Sequence, residues 1–267
     1  MTQLIWLSIV SGYRSNSFKL LVVLALVAIF LAWLAASFSA RSSDTMMLDV
    51  GLSLQRIVLT LMAAFWVQEL YYKDLEKKTA IFLLAYPVSR AQYLLARFAG
   101  VAVLVLCALC LSALLLYGTV VFAGSSYEQG WPVNLGTPYL VTWLYFFLDI
   151  MVIISVTFLL CSVSETPNLP VLCALSFSVA MHAMGPIVEY LRYSARLEQN
   201  HQDLVQPIVE QLIYLLPDLS RLDIRPWSLY GELPSTQQLA LGAGVAITYT
   251  IVFLASSIIS LNRREIN

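Results

Sequence analysis

Charged side chains are scarce in this sequence, since only 12% of its 267 residues are Asp, Glu, Lys or Arg. Soluble domains carry about 25%. Hydrophobic residues make up 60% of the chain, so much of its surface needs lipid as its solvent. The net charge of −1 comes without a stripe of basic residues, which excludes the electrostatic pattern of a nucleic-acid-binding protein.

The sequence also lacks the motifs of nucleotide and metal chemistry. It contains no Walker A motif, no GxGxxG and no HExxH, so we predict that the chain is not an enzyme and carries no cofactor of its own. His182 lies between Met181 and Met184, but a copper path needs several soft ligands at spaced depths, and we predict no metal site. The cysteines all lie in apolar runs, where we expect them to pack against other helices rather than form disulfides; they are Cys107, Cys110, Cys161 and Cys173.

Six segments are long and apolar enough to cross a membrane. A spanning helix needs about 20 mostly apolar residues. The second segment is the weakest, because Arg56 and Glu69 bound its charge-free core. The first is longer than the roughly 7–15 apolar residues of a signal peptide, so we expect an uncleaved anchor. The predicted fold is therefore all-α, a polytopic membrane protein with six transmembrane helices in a single domain over 1–267; the spans are 20–40, 52–70, 98–123, 139–163, 169–188 and 239–261.

The distribution of Lys and Arg predicts the orientation of these spans. With six spans both termini share one side, and that side holds nine of the chain's fifteen Lys and Arg. Basic residues on the other side are offset by acidic ones, so we predict cytosolic termini. Residues 1–17 are expected to form an interfacial helix, and 190–238 an outer loop with an amphipathic helix marked by Ile208, Leu212, Leu215 and Leu216.

A polar interruption at 71–90, with the sequence YYKDLEKKTAIFLLAYPVSR, separates the second and third spans. Residues 79–86 provide about two helical turns, and Pro87 ends them. Ser89 and Gln92 have the spacing of a capping box for the next helix. Such segments are often ordinary cytosolic loops. Four large apolar side chains favour a covering partner instead; they are Phe82, Leu83, Leu84 and Tyr86.

This segment resembles the signature of type-two ATP-binding-cassette exporter permeases. The resemblance rests on EKKT at 76–79, LLAYPVSR at 83–90 and YLLAR at 93–97. Further similarities are LLPD at 215–218, Leu222 with Asp223, and the ending NRREI at 262–266. Family members often have a clear, long second span, whereas Arg56 interrupts this one, so the ends of that span stay open.

The resemblance implies a homodimer or pseudo-dimer of permeases in a bacterial-type inner (cytoplasmic) membrane. It also implies a separate ATP-binding-cassette ATPase subunit, which would hold the ATP and Mg. Within the segment 71–90, the stretch from Asp74 to Tyr86 would match the family's cytosolic coupling helix. The last two spans with the loop between them would match its outer re-entrant region. The residues implied in coupling to the partner ATPase are Asp74, Glu76, Lys77, Thr79, Phe82, Leu83, Leu84, Tyr86 and Pro87.

Two charged residues inside spans are candidates for a translocation path. Asp149 is an acid deep within the fourth span, where an unpaired charge costs several kcal/mol. It either faces the dimer seam or a polar path, or it pairs with Arg56 or with backbone groups near an inward-facing cavity. Arg56, like Glu69, either snorkels to the headgroups or has a role in gating.

Two functions fit these features. The first is an exporter permease, in which ATP hydrolysis on the partner moves the segment 71–90 and changes access to a cavity in the dimer. The alternative is a membrane anchor or assembly factor that holds a cytosolic ATPase without transporting anything. The sequence does not identify the substrate.

Overall fold

The computed structural model describes residues 2–39, 42–76, 89–123, 133–166, 168–197 and 217–263. These ranges contain helices and no strand. The helices are α1 Thr2–Tyr13, α2 Asn16–Phe38, α3 Ser43–Val67, α4 Lys73–Glu76, α5 Arg90–Ala123, α6 Thr137–Val163, α7 Leu169–Leu197, α8 Arg225–Tyr230 and α9 Thr236–Arg263. A π-helical turn, Gln68–Tyr72, joins α3 to α4, and a 3-10 turn, Leu219–Leu222, precedes α8.

Six of these helices are long and apolar enough to span a bilayer, which confirms the predicted all-α polytopic membrane protein. They are α2, α3, α5, α6, α7 and α9. Four of them begin and end within about three residues of the expected bounds, whereas α5 begins at Arg90, eight residues before 98. Helix α3 with its π-helical turn covers Ser43–Tyr72 rather than 52–70. The predicted start came too late because Asp44 and Asp49 lower the local hydropathy, although both lie inside the helix.

Local sequence signals explain where several helices start and end. Ser89 and Gln92 form the predicted capping box at the start of α5: the Ser89 backbone N–H donates to Gln92 Oε1 at 3.1 Å, and the Gln92 N–H donates to Ser89 Oγ at 3.2 Å. Ser235 and Gln238 repeat this arrangement before α9, at 3.0 and 3.2 Å. Gly231 ends α8 with a φ of 74°, a conformation that glycine adopts without strain.

Helix α6 lies at the centre of the bundle. It packs against α3, α5, α7 and α9. Phe146, Ile150, Ile154 and Phe158 are fully buried and share one face of α6, as their helical spacing requires. Helix α2 packs outside this group, against α3 and α5. The spanning helices around α6 keep apolar side chains exposed on their outer faces, where lipid is the natural solvent.

Residues 217–235, here called the connecting segment, fold back against the bundle before α9 begins. Leu219 and Leu222 are buried in a cluster with Ile153 of α6 and Met181 of α7. The Tyr145 hydroxyl on α6 donates to the carbonyl of Leu239 at 2.7 Å and holds the start of α9 nearby. The connecting segment therefore reaches side chains in the middle of α6. The predicted amphipathic helix around Ile208 to Leu216 lies outside the described residues.

Helix α1 packs along the first part of α5. A Cβ atom placed on Gly100 of α5 would lie 2.4 Å from Ser8 Cβ, and one on Gly12 would lie 2.2 Å from Leu104 Cδ1. Glycine at these two positions therefore lets the two helices approach closely.

The cysteines differ from the expectation. Cys161 is buried, but Cys107, Cys110 and Cys173 are exposed on the surfaces of their helices. The expectation that they all pack inside was wrong because a membrane helix is apolar on its lipid-facing side as well, so apolar neighbours do not indicate burial.

Candidate functional site: an ionic cluster beside a membrane cavity

Arg56 lies in the middle of α3 rather than at its end. It is thirteen residues from Ser43, or about 20 Å along the helix axis. Its side chain is only 12% exposed and is directed to Asp149 on α6. The interpretation that Arg56 snorkels to the headgroups was therefore wrong. Glu69, near the far end of the same span, accepts a hydrogen bond from Ser17 at 2.6 Å and pairs with Lys73 at 3.5 Å.

Asp149 is fully buried and pairs with Arg56, one of the alternatives open from the sequence. Arg56 Nε and Nη2 lie 3.0 and 2.9 Å from Asp149 Oδ2. The guanidinium also lies 5.2 Å from the ring centroid of Phe146. Within the described part of the chain, Asp149 Oδ1 has no hydrogen-bond partner. The pair joins α3 to the central helix, and the charge-assisted bonds reduce the energy of holding a carboxylate among apolar helices.

The connecting segment contributes a second acid and a second arginine. Asp223 Oδ2 accepts from Arg56 Nη1 at 3.3 Å. Arg225 binds Asp223 through Nε at 2.7 Å and Nη2 at 2.5 Å, and its Nη1 donates to Ser53 Oγ on α3 at 2.5 Å. Burial by itself raises the pKa of Asp223, but the bonds and positive charges of Arg225 and Arg56 outweigh it, and the net pKa lies below its ordinary value. Asp223 therefore stays ionised at neutral pH.

His182 of α7 completes the group. Its Nε2 atom lies 3.1 Å from Asp149 Oδ2 and 2.5 Å from Arg56 Nη2, and its Nδ1 lies 2.7 Å from the carbonyl oxygen of Ser178. We call Arg56, Asp149, His182, Asp223 and Arg225 the ionic cluster. It connects three spanning helices with the connecting segment.

The ionic cluster borders a cavity of about 1070 Å³ between α3 and α7. Arg56, His182, Asp223 and Arg225 line it together with Ser53, Thr60 and Ser178. Its other walls are apolar and include Ile57, Leu61, Leu175 and Val179. A cavity of this size with a few polar groups on an apolar wall has the form of a small-molecule binding site.

A separate polar contact lies near the termini and involves one of the predicted coupling residues. Asp74 of α4 pairs with Arg97 of α5 and accepts from the Tyr93 hydroxyl at 3.1 Å. Arg97 is 5% exposed and also donates to Ser8 Oγ of α1 at 2.9 Å. Arg97 therefore joins α1, α4 and α5. Glu76 ends α4, and the other predicted coupling residues, Lys77, Thr79, Phe82, Leu83, Leu84, Tyr86 and Pro87, lie outside the described residues.

Sequence reasoning identified two members of the ionic cluster and missed three. Asp149 and Arg56 were named because each is a charge inside an apolar segment. His182 gave the same signal but was weighed only as a metal ligand. Asp223 was noted only as part of the family resemblance, and Arg225 was counted only among the basic residues of the outer side. The contacts of that loop with α3 show their place in the cluster.

The comparisons with known proteins agree with this architecture. A family model described as ABC-2 family transporter protein matches residues 13–266. No curated protein matches the chain. The match extends over all six spanning helices, the segment 71–90 and the connecting segment. The chain therefore belongs to the ABC-2 family of transporter proteins.

Proposed function

We propose that this transporter permease exports its substrate, and that a separate ATPase subunit hydrolyses the ATP that drives it. Two permeases, identical or paralogous, would form the membrane part of the complex in a bacterial-type cytoplasmic membrane. The termini and the segment 71–90 would face the cytosol, in accordance with the excess of Lys and Arg on that side.

The observation that carries this proposal is the cavity beside the ionic cluster. An anchor protein needs no cavity of about 1070 Å³ between two of its spanning helices. It also gains little from charges in the middle of the membrane, which are expensive to bury and mark substrate or ion pathways in membrane proteins. Transport therefore fits the cavity better than the alternative function of anchoring an ATPase, and the direction of export is what the family resemblance implies.

The contacts of Arg97 support a mechanical link between the partner ATPase and the spans. Arg97 is buried and bound to both Asp74 and Ser8. A displacement of α4 would move α5 and α1 with it, because a buried ion pair resists separation. From there α5 contacts α3 and the central helix α6, both of which carry members of the ionic cluster.

The partner contact is tested by a substitution in the segment 71–90. Leu83→Asp should abolish copurification of the ATPase while the permease remains inserted, because a carboxylate replaces a side chain that we propose lies in the partner's groove. Leu233→Asp is the matched control: Leu233 is 76% exposed in the connecting segment, at the other end of the bundle, and its variant should keep the ATPase.

Equal retention of the ATPase by both variants would show that the contact lies elsewhere. Transport is tested separately with the intact complex in liposomes. A substrate that raises the ATPase rate and, only when ATP is present, accumulates on the side opposite the ATPase would support export. A complex that hydrolyses ATP but moves none of a broad substrate panel would favour the anchoring function.

A further inference from the structure

The two ring nitrogens of His182 have different environments. Nδ1 lies 2.7 Å from the Ser178 carbonyl oxygen, one turn earlier in α7. A carbonyl oxygen only accepts hydrogen bonds, so Nδ1 carries a hydrogen in both the neutral and the protonated ring. The ring can therefore take up or release a proton only at Nε2.

Nε2 is placed between a group that only donates and a group that only accepts. Arg56 Nη2 is 2.5 Å away and Asp149 Oδ2 is 3.1 Å away. A bare Nε2 accepts from Arg56, and a protonated Nε2 donates to Asp149. The two bonds exclude each other, because a protonated Nε2 has no lone pair to offer a guanidinium.

The charged groups around His182 come from each neighbouring element. Arg56 approaches from α3, Asp149 from α6, and Asp223 with Arg225 from the connecting segment. Glu189, on α7 itself, lines the same cavity. The two arginines face Asp149 and Asp223, and Asp49 Oδ1 of α3 lies 3.7 Å from Arg225 Nη1. A proton on His182 therefore adds a positive charge to a group whose arginines are already paired with carboxylates. Asp149 can accept a further hydrogen bond from the protonated ring, because its Oδ1 is buried and has no partner among the described residues.

The cavity gives water access to the ring. His182 lines it, and its side chain is 24% exposed. A hydronium ion in the cavity would deliver its proton to Nε2 and leave as water. Arg56 would then lose its acceptor on His182 and retain Asp149 and Asp223, the latter at 3.3 Å in the connecting segment.

We propose that His182 Nε2 is a proton-binding site, and that its occupancy moves His182 from Arg56 to Asp149 and shifts Arg56 toward the connecting segment. Because these groups line the cavity, proton binding changes the contacts of both walls. An effect of this proton on the transport cycle rests on the proposed function, whereas the proton-binding site does not depend on that function.

The chain makes the binding site accessible to a direct measurement, since His182 and His201 are its two histidines. His201→Gln leaves one ring. Nitrogen-15 NMR of histidine-labelled full-length permease in nanodiscs then reports each nitrogen of His182. At pH 9 the spectrum should show a hydrogen on Nδ1 and a bare Nε2, the minor tautomer of a free histidine side chain. Acidification to pH 4 should protonate Nε2. A hydrogen on Nε2 at pH 9, or an Nε2 that stays bare at pH 4, would overturn the proposal.

The effect on transport is measured on the complete complex with its ATPase. His182→Gln should change the shape of the ATPase pH profile relative to the wild type, and His201→Gln should leave that profile unchanged. Identical profiles for wild type and His182→Gln would overturn the coupling to transport. A complex without any ATPase activity would count against the proposed function, while the NMR result would stand by itself.

Discussion

The pair of Arg56 and Asp149 permits a double-mutant test of the ionic cluster. Among the described residues, Arg56→Met leaves the fully buried Asp149 with His182 as its polar partner, at 3.1 Å. Asp149→Leu leaves Arg56 with Asp223 at 3.3 Å and with His182. The double variant removes both charges and fills their space with apolar side chains. The pair should therefore behave non-additively.

The expected magnitude follows from burial. Removing one member of a buried ion pair costs about 3–5 kcal/mol, whereas replacing both members with apolar groups is often close to neutral. Because His182 and Asp223 offer each survivor a second partner, we expect the lower end, about 3 kcal/mol for each single variant. For a chain of this size that corresponds to a fall of roughly 6–12 °C in melting temperature. The double variant should lose clearly less than either single variant.

The assay is thermal unfolding of the purified permease in detergent. The fraction that stays folded after heating to each temperature is measured by size-exclusion chromatography. Arg221→Met is the matched control, because Arg221 pairs with Asp218 at 3.0 Å but is 40% exposed. Exposed pairs contribute about 0–1 kcal/mol, so this variant should shift the melting temperature little. Additive losses in the double variant, or equal losses for Arg56→Met and Arg221→Met, would refute the reasoning.

Three further predictions have defined outcomes. Arg97→Met should lower the free energy of unfolding by about 3–5 kcal/mol in the same assay, because it leaves Asp74 without its buried partner. A change below about 1 kcal/mol would show that Arg97 does not hold α4 and α5 together. Gly100→Ala should lower the free energy of unfolding by about 1–3 kcal/mol, because the new methyl group crowds Ser8. Gly244→Ala, which has open space around it, should raise it by up to about 1 kcal/mol. A Gly244→Ala variant less stable than the Gly100→Ala variant would contradict the packing of α1 on α5. Arg90→Gln should remove the hydrogen bonds to the Leu261 and Asn262 carbonyl oxygens and lower the free energy of unfolding by about 1 kcal/mol. Amide hydrogen exchange in the last turn of α9 should become faster. Unchanged exchange would show that Arg90 does not stabilise this helix end.

Most of the helical architecture could be predicted from the sequence, because a run of about 20 apolar residues has few alternatives to a spanning helix. The capping box at Ser89 and Gln92 was also predictable, since it depends on two residues three positions apart. The start of α3 was not. A polar turn containing Asp44 and Asp49 looks like a loop until the packing of Met47 and Leu48 in the core is known.

The candidate site was only partly predictable for a related reason. A charge inside an apolar run is visible locally, as for Asp149 and Arg56. Its partners are not: Arg56 meets residues 93, 126 and 167 positions away in the chain. Nothing in one sequence specifies such distances, and the fold of the connecting segment decides which loop residues enter the cluster.

The claim that the partner ATPase changes access to the cavity is tested most directly by thiol labelling. Val179 lines the cavity and is 72% exposed, whereas Leu114 on α5 is 71% exposed and lies outside the cavity lining. Each is replaced by cysteine in a variant without the four native cysteines, and the intact complex is labelled in membranes with and without vanadate-trapped nucleotide. We predict that trapping changes the labelling rate at position 179 severalfold and leaves position 114 unchanged. Equal rates at position 179 in both states would contradict the account.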